Sequence, residues 1–345
     1  MPYEPFERVA LGRTGLSVTR LGFGAASIGG LYRPVTEADA AAVVERAWTL
    51  GIRSFDVAPL YGYGAAERRL GAALAPRPRD AYVLSTKVGR LVVPEGGLTG
   101  DEDVDRQADG GREDAYFAGT AGRRIVFDYS AAGVRRSLEE SLERLGIDRV
   151  DIAYIHDPDR HWDAASGQAA PELRQLRETG MVRAIGAGMN QSPMLARFVR
   201  ETDVDVILLA GRYTMLDQGA LDDLLPACLE RGVAVLVAGV MNSGVLADPG
   251  PGARFDYRAA PDHVVARARA VREVCDRHDV PVKAAAVQLP LAHPAVTGLI
   301  VGVRSLEHLD EYPALLRHPI PARLWDDLRA SGLLPRAMPV PGEAA

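Results

Sequence analysis

Lysine is almost missing from this chain: of 40 basic residues among 345, only Lys87 and Lys283 are lysines and the rest are arginine. Arginine fills nearly every position that needs only a positive charge. A retained lysine therefore points to chemistry of its own, because an ammonium is a compact charge whose pKa moves readily. Cysteine is as scarce. Cys228 and Cys275 lie in helix-patterned segments with no metal-ligand spacing around them. Two such residues exclude a disulfide framework and read as buried thiols. No run approaches the roughly 20 apolar residues of a membrane span. The start MPYEPFERVA has neither the basic nor the apolar region of a signal peptide, so a cytoplasmic location is expected. The net charge is −6 with both signs interspersed, and no basic stripe invites nucleic acid or a membrane surface. A small molecule is the expected partner.

What is present is a rhythm. After a hairpin-like start, RVALG-RTG-LSVTR, eight apolar runs recur at 21–27, 54–59, 82–88, 150–156, 182–188, 204–210, 233–239 and 297–303. They are continuously apolar, as strands of a parallel sheet covered on both faces must be. Amphipathic stretches separate them. In SAAGVRRSLEESLERLG, for example, Val134, Leu138, Leu142 and Leu145 share a face and Gly146 marks the stop,. Eight β–α units predict one (β/α)8 TIM barrel over the whole chain, with a core of about residues 8–330 and a loose tail at 331–345. A doubly wound sheet would need G-x-G-x-x-G after the first strand, and GFGAASIGG at 22–30 does not supply that spacing,. Residues 89–128 are glycine-rich, acidic and without periodicity. They read as a long loop after the third strand, either a substrate lid or a disordered insertion.

Barrel chemistry sits at the carboxyl ends of the strands. Asp56 and Tyr61 fall after the second strand, Lys87 in the third and His156 at the end of the fourth. A free phenol has a pKa of about 10. An adjacent ammonium lowers it, and a carboxylate keeps that ammonium in place. With a histidine to hold a substrate oxygen, this set suits proton transfer at an alcohol or carbonyl. Tyr63 is assigned to packing.

The motifs DVAPLYG, STKVG, YIHDPD and GAGMN resemble those of the aldo-keto reductase family, and the resemblance runs from the hairpin through IVGVRSLEHLDE. KVGRLVVP, LLAGRYTML and NSGVLA look like the branch that holds L-fucose and D-threo-aldose 1-dehydrogenases and pyridoxal 4-dehydrogenase. The resemblance implies hydride exchange between a nicotinamide cofactor and a carbonyl or alcohol. Within it Tyr61 is the general acid/base, Lys87 its neighbour, Asp56 the partner of Lys87, and His156 the residue that orients the substrate oxygen. The reaction it suggests first is oxidation of an aldose at C1 to a lactone. A general aldehyde, ketone or pyridoxal reductase, or a nicotinamide-sensing regulatory module, are the alternatives.

The same resemblance assigns cofactor contacts to Gly24, Ala25 and Asp56, to Asn190 for the carboxamide, to Tyr213, and to Gly239, Asn242, Gly244 and Leu246 after the seventh strand. Gly302, Arg304, His308 and Glu311 fall at the adenosine end. Met189, Ala210 and Ala238 depart from the family's common serine, glutamine and aromatic residue. Arg304 suits a 2′-phosphate but has no second cation beside it, so NADP and NAD both stay open. Substrate choice is expected to depend on residues 89–128 and on side chains such as Tyr129 and Trp162.

Overall fold

The structure is a computed structural model and describes residues 3–106, 108, 116–303 and 305–343. Eight parallel strands close into a barrel in sequence order: β1 (Leu21–Gly24), β2 (Ser54–Asp56), β3 (Val83–Val88), β4 (Ile152–His156), β5 (Ala184–Met189), β6 (Val206–Ala210), β7 (Ala234–Ala238) and β8 (Val296–Gly302), with β8 pairing back onto β1. Each expected run overlaps one strand, with ends that differ by up to three residues.

Local chemistry sets the helices. In α1 (Glu37–Leu50) the Thr36 side chain accepts from Asp39 N, and Gly51 at φ 111° ends the helix. In the helix at Ala131–Leu145, Ser130 caps the start by accepting from Gly133 N, and Gly146 takes the left-handed conformation at the end,.

Two apolar layers result. Inside the barrel, Val83, Ile152, Tyr154, Val206, Leu208 and Leu236 meet Leu11, Leu16 and Val18. The last three come from the amino-terminal hairpin, Arg8–Ala10 paired with Ser17–Thr19, which therefore plugs the interior. Outside, the helical jacket packs on the other face of every strand. Where backbones press together only glycine fits: a Cβ on Gly186 of β5 would stand 1.8 Å from the Val206 carbonyl oxygen. Among the described residues no helix is long and apolar enough to cross a membrane.

Two expectations need correction. The segment after β3 is not structureless: Arg90–Pro94 pairs antiparallel with Arg123–Phe127, and Val104 bridges to Val126. Nor is the tail loose. Leu333, Leu334, Met338 and Val340 are buried. Arg329 ties the tail down by donating to the Met338 carbonyl (2.6 Å) and pairing with Glu343. Residues 107, 109–115, 304, 344 and 345 lie outside the described residues.

Candidate active site

Strand register builds the centre of the site. Asp56 ends β2 opposite Ser85 of β3, so the Ser85 hydroxyl donates to Asp56 Oδ1 at 2.7 Å. Two residues on, Lys87 returns to the same face, while Thr86 between them points outward to Glu67,. Lys87 Nζ donates to Asp56 Oδ2 (2.6 Å), to the Val57 carbonyl (3.1 Å) and to Tyr61 Oη (3.1 Å). The three donors of the ammonium are thereby used. Tyr61 reaches it from the tight turn between β2 and α2 (Ala65–Leu74), where Gly62 and Gly64 take positive φ. A Cβ on Gly62 would stand 2.2 Å from the Gly29 carbonyl oxygen, so the turn admits nothing larger. His156 ends β4 with its ring edge-on to Tyr61, centroids 6.0 Å apart. The fold thus joins the four residues expected from the sequence. Lys283, the other lysine, makes an exposed ion pair with Glu311.

The electrostatics differ from expectation at Tyr61. Burial, reinforced by the Asp56 and Asp157 carboxylates, pushes its phenol well above the usual range instead of lowering it. The ammonium of Lys87 is already neutralised by Asp56 at 2.6 Å, so it does not favour the phenolate as a lone ammonium would. The phenol is a protonated donor at neutral pH. His156 goes the other way. Burial, with Arg90 and Lys87 as nearby cations, holds the imidazole well below its ordinary value, so it is neutral,.

Several further residues gather at the site, of which Tyr129 was named from the sequence and Arg90, Asp105, Phe117, Asp157 and Tyr257 were not. Tyr129 lies behind the histidine, its hydroxyl donating to the carbonyls of His156 (2.6 Å) and Asp157 (3.1 Å). Asp157 Oδ2 stands 3.5 Å from His156 Nε2 and accepts from Arg90 Nη2 at 3.0 Å. The other arm of Arg90 meets Asp105 at 2.9 Å. Phe117 packs on Tyr61 at 5.9 Å between ring centroids. Tyr257, from the short hairpin Arg254–Phe255 and Arg258–Ala259, lies against Tyr116 at 5.2 Å. Loops following β3 and β7 therefore meet over the mouth. Trp162 does not join them; it packs against Phe198 and under Arg197. Tyr63 is buried with Leu60 and Phe117.

The residues expected to hold a cofactor separate into two groups. Asn190, Gly239, Gly244 and Gly302 keep accessible surface along the carboxyl ends of β5, β7 and β8. A Cβ at Gly244 or Gly302 would meet nothing within 4 Å, so this strip is open. Asn190 Nδ2 donates to the Ala210 carbonyl, and Asn242 Nδ2 to that of Gly211, both at 3.1 Å. Asn242 Oδ1 is buried without a partner among the described residues. Small residues, open space at Gly244 and Gly302 and the part-exposed Asn190 leave room along this strip for an extended dinucleotide,. His308 is exposed on the first turn of the helix Leu306–Arg317, Glu311 is engaged by Lys283, and Arg304 lies outside the described residues.

The other positions are buried. Ala25, Tyr213 and Leu246 have no accessible surface, and Gly24 is buried. Gly24 pairs with Asp56, and Ala25 N donates to the Asp56 carbonyl at 2.8 Å, so both hold the strand end that carries Asp56. Tyr213 packs edge-on against His293, rings 5.7 Å apart, inside the outer apolar layer.

Fold and site together define an eight-stranded barrel with a buried Asp–Lys–Tyr–His cluster at the carboxyl ends of its strands. The chain belongs to the aldo/keto reductase family, whose sequence model matches residues 20–332, and it is an oxidoreductase of that type. It is 42% identical over 347 residues to pyridoxal 4-dehydrogenase of Microbacterium luteolum, covering 97% of this chain and 100% of that one. It is 42% identical over 332 residues to D-threo-aldose 1-dehydrogenase of a Pseudomonas species, covering 94% and 98%. Among solved structures, an aldo-keto reductase of Bacillus halodurans in its holo form superposes with a TM-score of 0.73 at 23% identity, covering 96% and 98% of the two chains. That likeness concerns the fold.

Proposed function

We propose that this protein oxidises an aldose at C1 to the lactone, or runs the corresponding carbonyl reduction, with Tyr61 as the proton-transferring group. The observation that carries the reading is the buried chain Asp56–Lys87–Tyr61 ending beside His156. A relative of 42% identity named for aldose oxidation supports this substrate class. The groove along Asn190, Gly239 and Gly302 would hold a nicotinamide dinucleotide, NADP or NAD, with the Asn190 amide at the carboxamide. When bound, such a dinucleotide supplies or accepts the hydride.

In the oxidative direction Tyr61 takes the hydroxyl proton of C1, and in reduction its phenol gives that proton to the carbonyl oxygen. Lys87 stands where the phenolate charge appears, and Asp56 keeps the ammonium in position. His156, neutral, donates from Nε2 to the same oxygen. General acid–base catalysis of this kind contributes about 10²- to 10⁴-fold.

The test is dinucleotide absorbance in both directions, with NAD and NADP, against a panel of L-fucose, other aldoses, pyridoxal and simple aldehydes. Turnover of an aldose that disappears in Tyr61→Phe supports the reading. Turnover of plain aldehydes alone removes the aldose part, and activity retained by Tyr61→Phe removes the assigned role.

A further inference from the structure

The arrangement of Asp157 is costly and the proton transfer above makes no use of it. This residue directly follows the site histidine and takes φ 42°, a left-handed conformation that non-glycine residues rarely adopt,. Its backbone is held there from both sides: N donates to the Gly188 carbonyl at 3.1 Å, and its own carbonyl accepts from Tyr129. The turned backbone brings the carboxylate back onto the neighbouring imidazole, Oδ2 lying 3.5 Å from His156 Nε2. Arg90 fixes the carboxylate at 3.0 Å and is itself clamped by Asp105 and covered by Phe127.

Exposure grades outward along this row. The side chain of Asp105 is 3% exposed, that of Arg90 11% and that of Asp157 23%, so only the last emerges at the mouth. Among the described residues its Oδ1 receives no hydrogen bond. Burial lifts its pKa to about 6 against the pull of Arg90, so near neutral pH it is chiefly the anion. A carboxylate here disfavours loss of the Tyr61 proton, and reducing a plain aldehyde gains nothing from it. A substrate that brings hydroxyl donors gains a charge-assisted hydrogen bond.

We propose that Asp157, braced by Arg90, is a specificity-determining residue: its carboxylate accepts a hydrogen bond from a substrate hydroxyl beside the reacting carbon, selecting polyhydroxylated substrates over simple aldehydes. The inference rests on the reading of the site given above and adds the group that recognises the sugar.

Asp157→Asn and Asp157→Gly are the variants, because asparagine and glycine both tolerate the left-handed backbone. The full-length wild type and both variants are assayed for L-fucose oxidation and 4-nitrobenzaldehyde reduction. Thermal unfolding with and without saturating L-fucose gives a second reading that needs no turnover. The expected result is a loss of kcat/KM for L-fucose about 10- to 100-fold greater than the loss for 4-nitrobenzaldehyde. That loss is carried mainly by KM, and the L-fucose-dependent rise in Tm shrinks in both variants. Equal losses for the two substrates would make Asp157 a positioning residue for His156 and overturn the proposal, as would no loss for either. If the wild type turns over neither substrate, the reading of the site fails separately. The Tm shift then decides Asp157, and an equal shift in wild type and variants rejects it.

Discussion

Replacing Lys87 by methionine removes a cation that is 2% exposed and leaves Asp56, 3% exposed, as a buried carboxylate with only the Ser85 hydroxyl as side-chain donor among the described residues. Breaking one side of a buried pair costs about 3–5 kcal/mol, because the remaining charge stays desolvated. A chain of 345 residues has an unfolding entropy of roughly 0.7 kcal/mol/K, so the midpoint should fall by about 4–7 °C. The double variant Asp56→Asn/Lys87→Met leaves no uncompensated charge and should recover at least half of that loss. Activity should not recover with it, since both remain without the ammonium beside Tyr61. The assay pairs thermal unfolding with dinucleotide-linked turnover for the wild type, the single and the double variant. A single variant within about 1 °C of wild type, or a double variant less stable than the single, would refute the argument that Lys87 and Asp56 form a compensated buried pair.

Four further outcomes follow from the same geometry. Burial together with the Asp56 and Asp157 carboxylates keeps the Tyr61 phenol protonated, so reduction should be nearly flat between about pH 6 and 9, whereas oxidation, which needs a proton acceptor, should climb with pH; pH profiles of kcat/KM in both directions check this. His156 is held neutral by burial, Arg90 and Lys87, so reduction of a plain aldehyde should show no step near its ordinary value of about 6.5, whereas aldose oxidation should fall off below about 6 as Asp157 takes up its proton. Tyr129→Phe removes the one hydroxyl proton shared between the His156 and Asp157 carbonyls and should cost about 1–2 kcal/mol in denaturant unfolding. Gly89→Ala should cost about 1–3 kcal/mol in the same assay, because φ is +93° and the added Cβ would stand 2.2 Å from the Tyr129 ring,.

The barrel was legible because its strands are unbroken apolar runs, and the tetrad because a polar residue at the end of such a run has little structural reason to be there. Asp56 and Lys87 then meet by register alone. Arg90 and Asp157 carry no such mark: a charged residue is ordinary in a chain with 46 acids and 38 arginines, and the two come together across 67 positions. The hairpin after β3 did leave a trace in LVV and IVF, masked by the glycines and acids between. Tyr213 was assigned to the cofactor by resemblance alone; its packing against His293 is a tertiary contact that the sequence does not show. In the tail, the apolar residues Leu333, Leu334, Met338 and Val340 were already the signal of a docked segment.

Deuterium transfer tests the central claim most directly. An aldose labelled with deuterium at C1 is incubated with the enzyme and each oxidised dinucleotide, and the reduced dinucleotide is weighed by mass spectrometry. The account predicts one deuterium on the dinucleotide, matched by lactone formation and absent with Tyr61→Phe. Label released to water instead, or transfer undiminished without the Tyr61 hydroxyl, would contradict it.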